Sequence, residues 1–80
     1  MSGSEIDVYP NPNNTGLLKL KNLPLGDLRF RILTRDGKLL NDYKGNRSTL
    51  KEIELPKNSG VYILEIESDG LIFRKRVVRL

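Results

Sequence analysis

Apolar and charged residues alternate one for one through several short runs, and no stretch of the chain repeats at the helical spacing. Leu18-Lys19-Leu20-Lys21 and Leu28-Arg29-Phe30-Arg31-Ile32 each present one set of side chains to a core and the other to water, which is the period of a half-buried strand. Ile53-Glu54-Leu55 and Leu64-Glu65-Ile66-Glu67 repeat the pattern, and Val61, Tyr62 and Ile63 enrich the latter run in β-formers. A chain written this way has to build sheets.

The breaks between runs fix how many strands there are. Asp36-Gly37 and Asp69-Gly70 sit between apolar segments and suit a type I′ hairpin turn or a related bulged turn. Pro10-Asn11-Pro12-Asn13-Asn14-Thr15-Gly16 cannot continue a central strand, because each proline lacks a donor and fixes φ. Pro24-Leu25-Gly26, Gly45-Asn46-Arg47-Ser48 and Pro56-Lys57-Asn58-Ser59-Gly60 supply the other breaks. The result is strands near 5–9, 16–22, 27–34, 38–44, 49–55, 60–68 and 71–79. Turns this closely spaced predict an all-β, seven-stranded antiparallel immunoglobulin-like β-sandwich, with a small barrel as the alternative. The expected core is Val8, Leu18, Leu20, Leu28, Phe30, Ile32, Leu39, Ile53, Leu55, Tyr62, Leu64, Ile66, Phe73 and Val77. Phe73-Arg74-Lys75-Arg76-Val77-Val78 departs from strict alternation, which suggests a bulge in the last strand.

Eighty residues allow one domain. Met1-Ser2-Gly3-Ser4 reads as a leader ahead of the fold, which places the domain at residues 5–80. The chain has no Cys and no His, so neither a disulfide framework nor an ordinary zinc site supports it, and a core of this size supplies roughly 3–5 kcal/mol. No apolar run is long enough to cross a bilayer as a helix. The net charge of +4 is spread through the alternating runs instead of gathering on one reading face, which argues against nucleic-acid binding.

Catalytic chemistry is equally hard to assemble. Without Cys or His there is no Cys/His or Ser/His pair. Glu65 with Glu67, or Glu52 with Glu54, would share a strand face, but so small a domain offers no cleft for a carboxylate pair to face across. The glycines stand singly at turns, so no phosphate loop is present. Asp7, Asp36, Asp42 and Asp69 lack the dense spacing of a calcium loop. Asn13-Asn14-Thr15 and Asn46-Arg47-Ser48 match the glycosylation sequon, a pattern common by chance. The reading is a non-enzyme without a cofactor. A carbohydrate- or protein-binding module is the rival, weakened by the absence of Trp, because only Tyr9 and Tyr43 remain as exposed candidates for stacking on sugar.

Three segments, in order, resemble the type A C-terminal sorting domains of the type IX (Por) secretion system of Bacteroidetes. The first is Val8-Tyr9-Pro10-Asn11-Pro12, similar to that family's opening Tyr-Pro-Asn-Pro. The second joins Ile32-Leu33-Thr34-Arg35-Asp36-Gly37-Lys38-Leu39 with Leu55-Pro56 and Gly60-Val61-Tyr62-Ile63-Leu64, similar to its leucine-proline loop and Gly-Val-Tyr. The third is Arg74-Lys75-Arg76-Val77-Val78, similar to its terminal lysine followed by β-branched residues. The family positions are thus Tyr9, Pro10, Asn11, Pro12, Asp36, Gly37, Gly60, Val61 and Tyr62. The closing Arg79-Leu80 departs from members that end on small or polar residues.

The resemblance implies a secretion signal that directs an N-terminal passenger through the periplasm to the outer-membrane surface or beyond. Its partners would be the outer-membrane translocon and a sortase-like cysteine peptidase that removes the tag. Lys75, Arg76, Val77 and Val78 are the candidate recognition residues. A last strand carrying them is expected to offer unpaired backbone groups and a basic rim to a receptor by β-augmentation. The domain itself is expected to be monomeric, with edge-strand pairing possible.

Overall fold

Wherever the sequence alternates, the backbone is extended. The computed structural model describes residues 6–80; the leader assigned to 1–4 and the first residue of the expected opening strand lie outside the described residues. Seven strands follow in order: β1 (Asp7–Tyr9), β2 (Leu17–Lys21), β3 (Leu28–Thr34), β4 (Leu39–Gly45), β5 (Glu52–Glu54), β6 (Gly60–Ser68) and β7 (Leu71–Arg79). The last two match their expected bounds, and β5 is the most shortened.

The strands form two separate sheets, β1-β2-β5 and β4-β3-β6-β7, and every strand pairing is antiparallel. Two separate sheets exclude the closed barrel. Leu18, Leu20 and Ile53 from the smaller sheet and Leu28, Phe30, Ile32, Tyr62, Leu64, Ile66 and Val77 from the larger belong to one buried cluster. Their positions in β2, β3 and β6 are the apolar half of each alternation, so the periodicity of the sequence becomes the interior of the domain. Each fully buried Leu, Ile or Phe contributes about 1.5–3 kcal/mol relative to exposure. Ile6, Leu23 and Leu50 complete the cluster from loops, where no alternation announces them. Leu50 is drawn in by a tight turn in which the amides of Thr49 and Leu50 both donate to the Asn46 carbonyl.

Both Asp-Gly turns form. Asp69 and Gly70 have φ of 55° and 82°, the pair of positive values that a two-residue type I′ turn requires, joining β6 to β7. At Asp36-Gly37 the Thr34 amide donates to the Lys38 carbonyl and the Gly37 amide to the Thr34 carbonyl. Gly37 alone is left-handed there, which makes a three-residue turn with a glycine bulge.

The strand registers correct two expectations. The pairing of β7 with β6 runs unbroken from Ser68↔Leu71 to Gly60↔Arg79, so the last strand has no bulge. The shift lies instead between β3 and β4, where Ile32 faces Asn41 but Leu33 faces Leu39, leaving Leu40 unmatched. An extra residue reverses the faces of everything beyond it. Leu39, expected in the core, therefore shares the outer face with Leu33 and is 50% exposed.

Phe73 also falls outside the core, at 38% exposed, for a different reason. It stands on the inner side of β7, opposite the buried Ile66, but the three-stranded sheet does not cover this part of a four-stranded one. Val8 is half-buried against the cluster.

Candidate functional site

β7 is the edge of the larger sheet, paired on one side with β6. Odd-numbered residues share the inner face with Val77, which is fully buried opposite Tyr62; even-numbered ones share the outer face. The four candidate recognition residues therefore do not make one surface. Lys75 is exposed on the uncovered inner side, Arg76 is exposed on the outer side, Val78 is half-buried there, and Val77 belongs to the core. The alternation that hides Val77 also anchors the strand beneath its two cations.

The backbone groups of the even residues point away from β6, and the expectation that they are unpaired holds for only part of the strand. From Arg76 onward they are taken by the proline-asparagine loop. Asn11 Nδ2 donates to the Arg76 carbonyl at 2.9 Å and Asn11 Oδ1 accepts from the Val78 amide at 3.0 Å, so one side-chain amide replaces a neighbouring peptide group. The Asn13 amide donates to the Val78 carbonyl at 2.7 Å, and the Leu80 amide donates to the Asn13 carbonyl at 2.8 Å. This is a parallel bridge of Asn13 with Arg79. An edge closed in this way offers no template for another strand.

The loop holds its shape through the side chain of Asn13, which is fully buried. Its Oδ1 accepts from the amides of Thr15 at 3.1 Å and Gly16 at 2.6 Å. Its Nδ2 donates to the Leu17 carbonyl at 2.8 Å and, more weakly, to the Pro10 carbonyl at 3.4 Å. Asn is suited to this because it carries donor and acceptor on one short planar group. Gly16 has φ of +88°, and a Cβ there would come 3.3 Å from Arg79 Nη2, so the loop also packs directly against the end of β7. The importance of Asn13 was not evident in the sequence; the only signal is its place between two prolines and a glycine, where Asx turns form.

The remaining motif positions support the fold. Tyr9 is partly exposed, with Lys21 Nζ 5.9 Å from its ring centroid, and Pro10 and Pro12 both follow cis peptide bonds. Gly60 opens β6 with φ of +150°, a conformation that side chains rarely adopt. Val61 is half-buried on the outer face. Tyr62 is buried, and its hydroxyl donates to the Asn58 carbonyl at 2.7 Å.

On the outer face of the larger sheet, charges are paired across strands. Arg29 of β3 holds Asp42 of β4 through two bonds, at 3.0 and 2.6 Å. Arg31 bonds Glu65 at 3.0 Å and also Glu67, and Arg74 of β7 bonds the other oxygen of Glu65 at 2.7 Å. The Arg74 bond, reinforced by Arg31, holds the Glu65 carboxyl below its ordinary range despite partial desolvation. Asp42 is lowered by its bond from Arg29. Lys75 and Arg76 have no such acidic partner among the described residues.

Among the described residues no three metal-ligating side chains converge, and the acidic groups of the sheet are engaged by arginine. The arrangement presents a strand and its cations. No helix among the described residues is long and apolar enough to cross a membrane.

No curated protein matches the chain. The family model described as the secretion system C-terminal sorting domain matches residues 7–79, a span that includes the proline-asparagine loop and the strand it clasps. The chain belongs to the type IX secretion C-terminal sorting domains, the signals by which an attached protein is directed through that system.

Proposed function

We propose that the domain works as a folded tag whose terminal strand is the element read by the outer-membrane translocon, with Lys75 and Arg76 making contact and Val77 and Val78 holding the strand in position. The observation that carries this reading is the contrast on β7: two exposed cations without acidic partners among the described residues stand on a strand that is otherwise fixed by a buried valine and a loop clasp. A rigid strand presents its charges without an ordering cost at each encounter. The passenger precedes the domain and passes through the periplasm before reaching the surface, where a sortase-like cysteine peptidase removes the tag. The domain is a non-catalytic monomer in this scheme.

The sandwich is best read as immunoglobulin-like. The order β1-β2-β5 over β4-β3-β6-β7 corresponds to strands A-B-E over C′-C-F-G of that architecture. The Tyr62 hydroxyl, near the start of the strand equivalent to F, bonds back to a carbonyl four residues upstream, as in the tyrosine corner of such domains.

The experiment is to fuse residues 5–80 to a periplasmic reporter in a host with the secretion machinery, beside the same fusion truncated from Arg74 onward. Surface delivery of the intact fusion and retention of the truncated one is expected. Delivery of both would remove β7 from the signal, and retention of both would favour a passive surface-binding module.

A further inference from the structure

The clasp stops at Arg76, and the strand before it is different in character. Ile72 and Arg74 have the same parity as Arg76 and Val78, so their amides and carbonyls point away from β6. The loop bonds only Arg76, Val78 and Leu80, leaving the outward groups of Ile72 and Arg74 without a partner strand among the described residues. Beside this open edge lies exposed apolar surface. Leu71 is 64% exposed, Ile72 48% and Leu25 73%, and Leu25, Leu71 and Phe73 line one open groove between the β2–β3 loop and the uncovered inner side of β7.

An edge and cations without partners among the described residues occur together with an apolar groove on one short segment. We infer that the stretch of β7 from Leu71 to Lys75 is a docking edge for an extended partner segment that alternates apolar and acidic residues. The inference rests on the reading of β7 as the recognised strand and names the chemistry of its partner. A strand added there forms backbone bonds with Ile72 and Arg74. Its inner-face side chains, spaced two apart, continue the Leu71–Phe73 row into the groove. The intervening acidic residues of the partner fall on the outer face, the face of Ile72, Arg74 and Arg76, and Asp69 at the turn end places them toward Arg76, with Lys75 flanking the inner row. There Arg76 has no acidic partner among the described residues, and the nearby Glu65 is already held by Arg31 and Arg74.

Charge also decides against a second copy of this chain as the occupant. Two β7 edges paired together would bring Arg74, Lys75 and Arg76 of both copies into one short ladder, and like charges opposed across strands destabilise it. The clasp sets the limit of the site, since Asn11 occupies the positions that a longer partner strand would use.

The test uses Ile72→Pro, which removes an outward amide without touching the bonds to β6, with Ile72→Ala as the control that keeps the amide. Two eight-residue peptides, one alternating valine with glutamate and one alternating valine with lysine, are titrated into the full chain while amide exchange is followed. The glutamate peptide is expected to slow exchange at Ile72 and Arg74 about tenfold, to leave Val78 and Leu80 unchanged, and to lose this effect with Ile72→Pro only. No slowing, equal slowing by the lysine peptide, or a concentration-dependent dimer without peptide overturns the inference. In the reporter fusion, Ile72→Pro is expected to reduce delivery about tenfold. Full delivery by Ile72→Pro, with the Arg74 truncation retained, overturns the docking edge and leaves the signal reading intact; delivery by both overturns both.

Discussion

Replacing Asn13 by alanine is the sharpest test of how the terminal strand is held. The side chain is fully buried and makes three hydrogen bonds of 2.6 to 3.1 Å, to the amides of Thr15 and Gly16 and the carbonyl of Leu17. At about 1 kcal/mol each the three sum to about 3 kcal/mol, with the longer bond to the Pro10 carbonyl counted as nothing. The vacated space adds to this, because the surrounding loop collapses only partly. A loss of about 3–4 kcal/mol is large beside a total of about 4–12 kcal/mol for a chain of this length. Urea denaturation of the variant and the parent measures it. Amide exchange then locates it: Leu80, whose amide donates to the Asn13 carbonyl, and Val78 should lose protection before Phe30 and Leu64 do. A loss under about 1 kcal/mol, with Val78 and Leu80 still protected, would refute the view that this side chain shapes the clasp.

Four further outcomes are expected. Asn11→Ala frees the Arg76 carbonyl and the Val78 amide at an exposed edge, so it should cost about 1 kcal/mol by denaturation and speed exchange at Val78 without affecting the core. Tyr62→Phe removes the bond to the Asn58 carbonyl and should cost about 0.5–1.5 kcal/mol in the same assay. Phe30→Ala should cost about 3–5 kcal/mol and Phe73→Ala under about 1 kcal/mol; equal losses would restore Phe73 to the core. Because folding lowers the Glu65 carboxyl, the unfolded chain binds the proton more tightly, so this group's stabilisation is complete at neutral pH. It is lost as pH falls below about 4.5 toward the lowered folded value. Glu65→Gln should therefore flatten the decline in melting temperature through that acid range.

What the sequence made legible was whatever repeats. β2, β3 and β6 were readable because their faces alternate, and both Asp-Gly turns because their backbone geometry depends on particular residues. The misplacement of Leu39 shows the limit of that logic. Alternation assigns a face relative to a neighbour, and a single unmatched residue at Leu40 reverses the assignment without altering the local pattern. Phe73 shows a second limit, since a residue can face inward and still be uncovered when the opposite sheet is narrower. The candidate recognition residues were legible as a cluster in sequence. Their separation into one buried and three accessible positions depends on the pairing with β6. The clasp was not legible at all, because it joins Asn11 to Val78 across 67 positions, and no local spacing encodes a contact of that range.

That range bears on the order in which the molecule is completed. The bonds from Asn11 and Asn13 join the first loop to the last strand, so they enclose almost the entire chain and incur nearly the largest loop-closure entropy the domain can have. Contacts of such high contact order form late, after the local hairpins have brought the distant parts together. During synthesis the proline-asparagine loop has no partner until β7 has left the ribosome. A product that stops before Val78 leaves the loop and the edge unjoined together, so the seam between the first loop and β7 distinguishes a finished domain from an unfinished one.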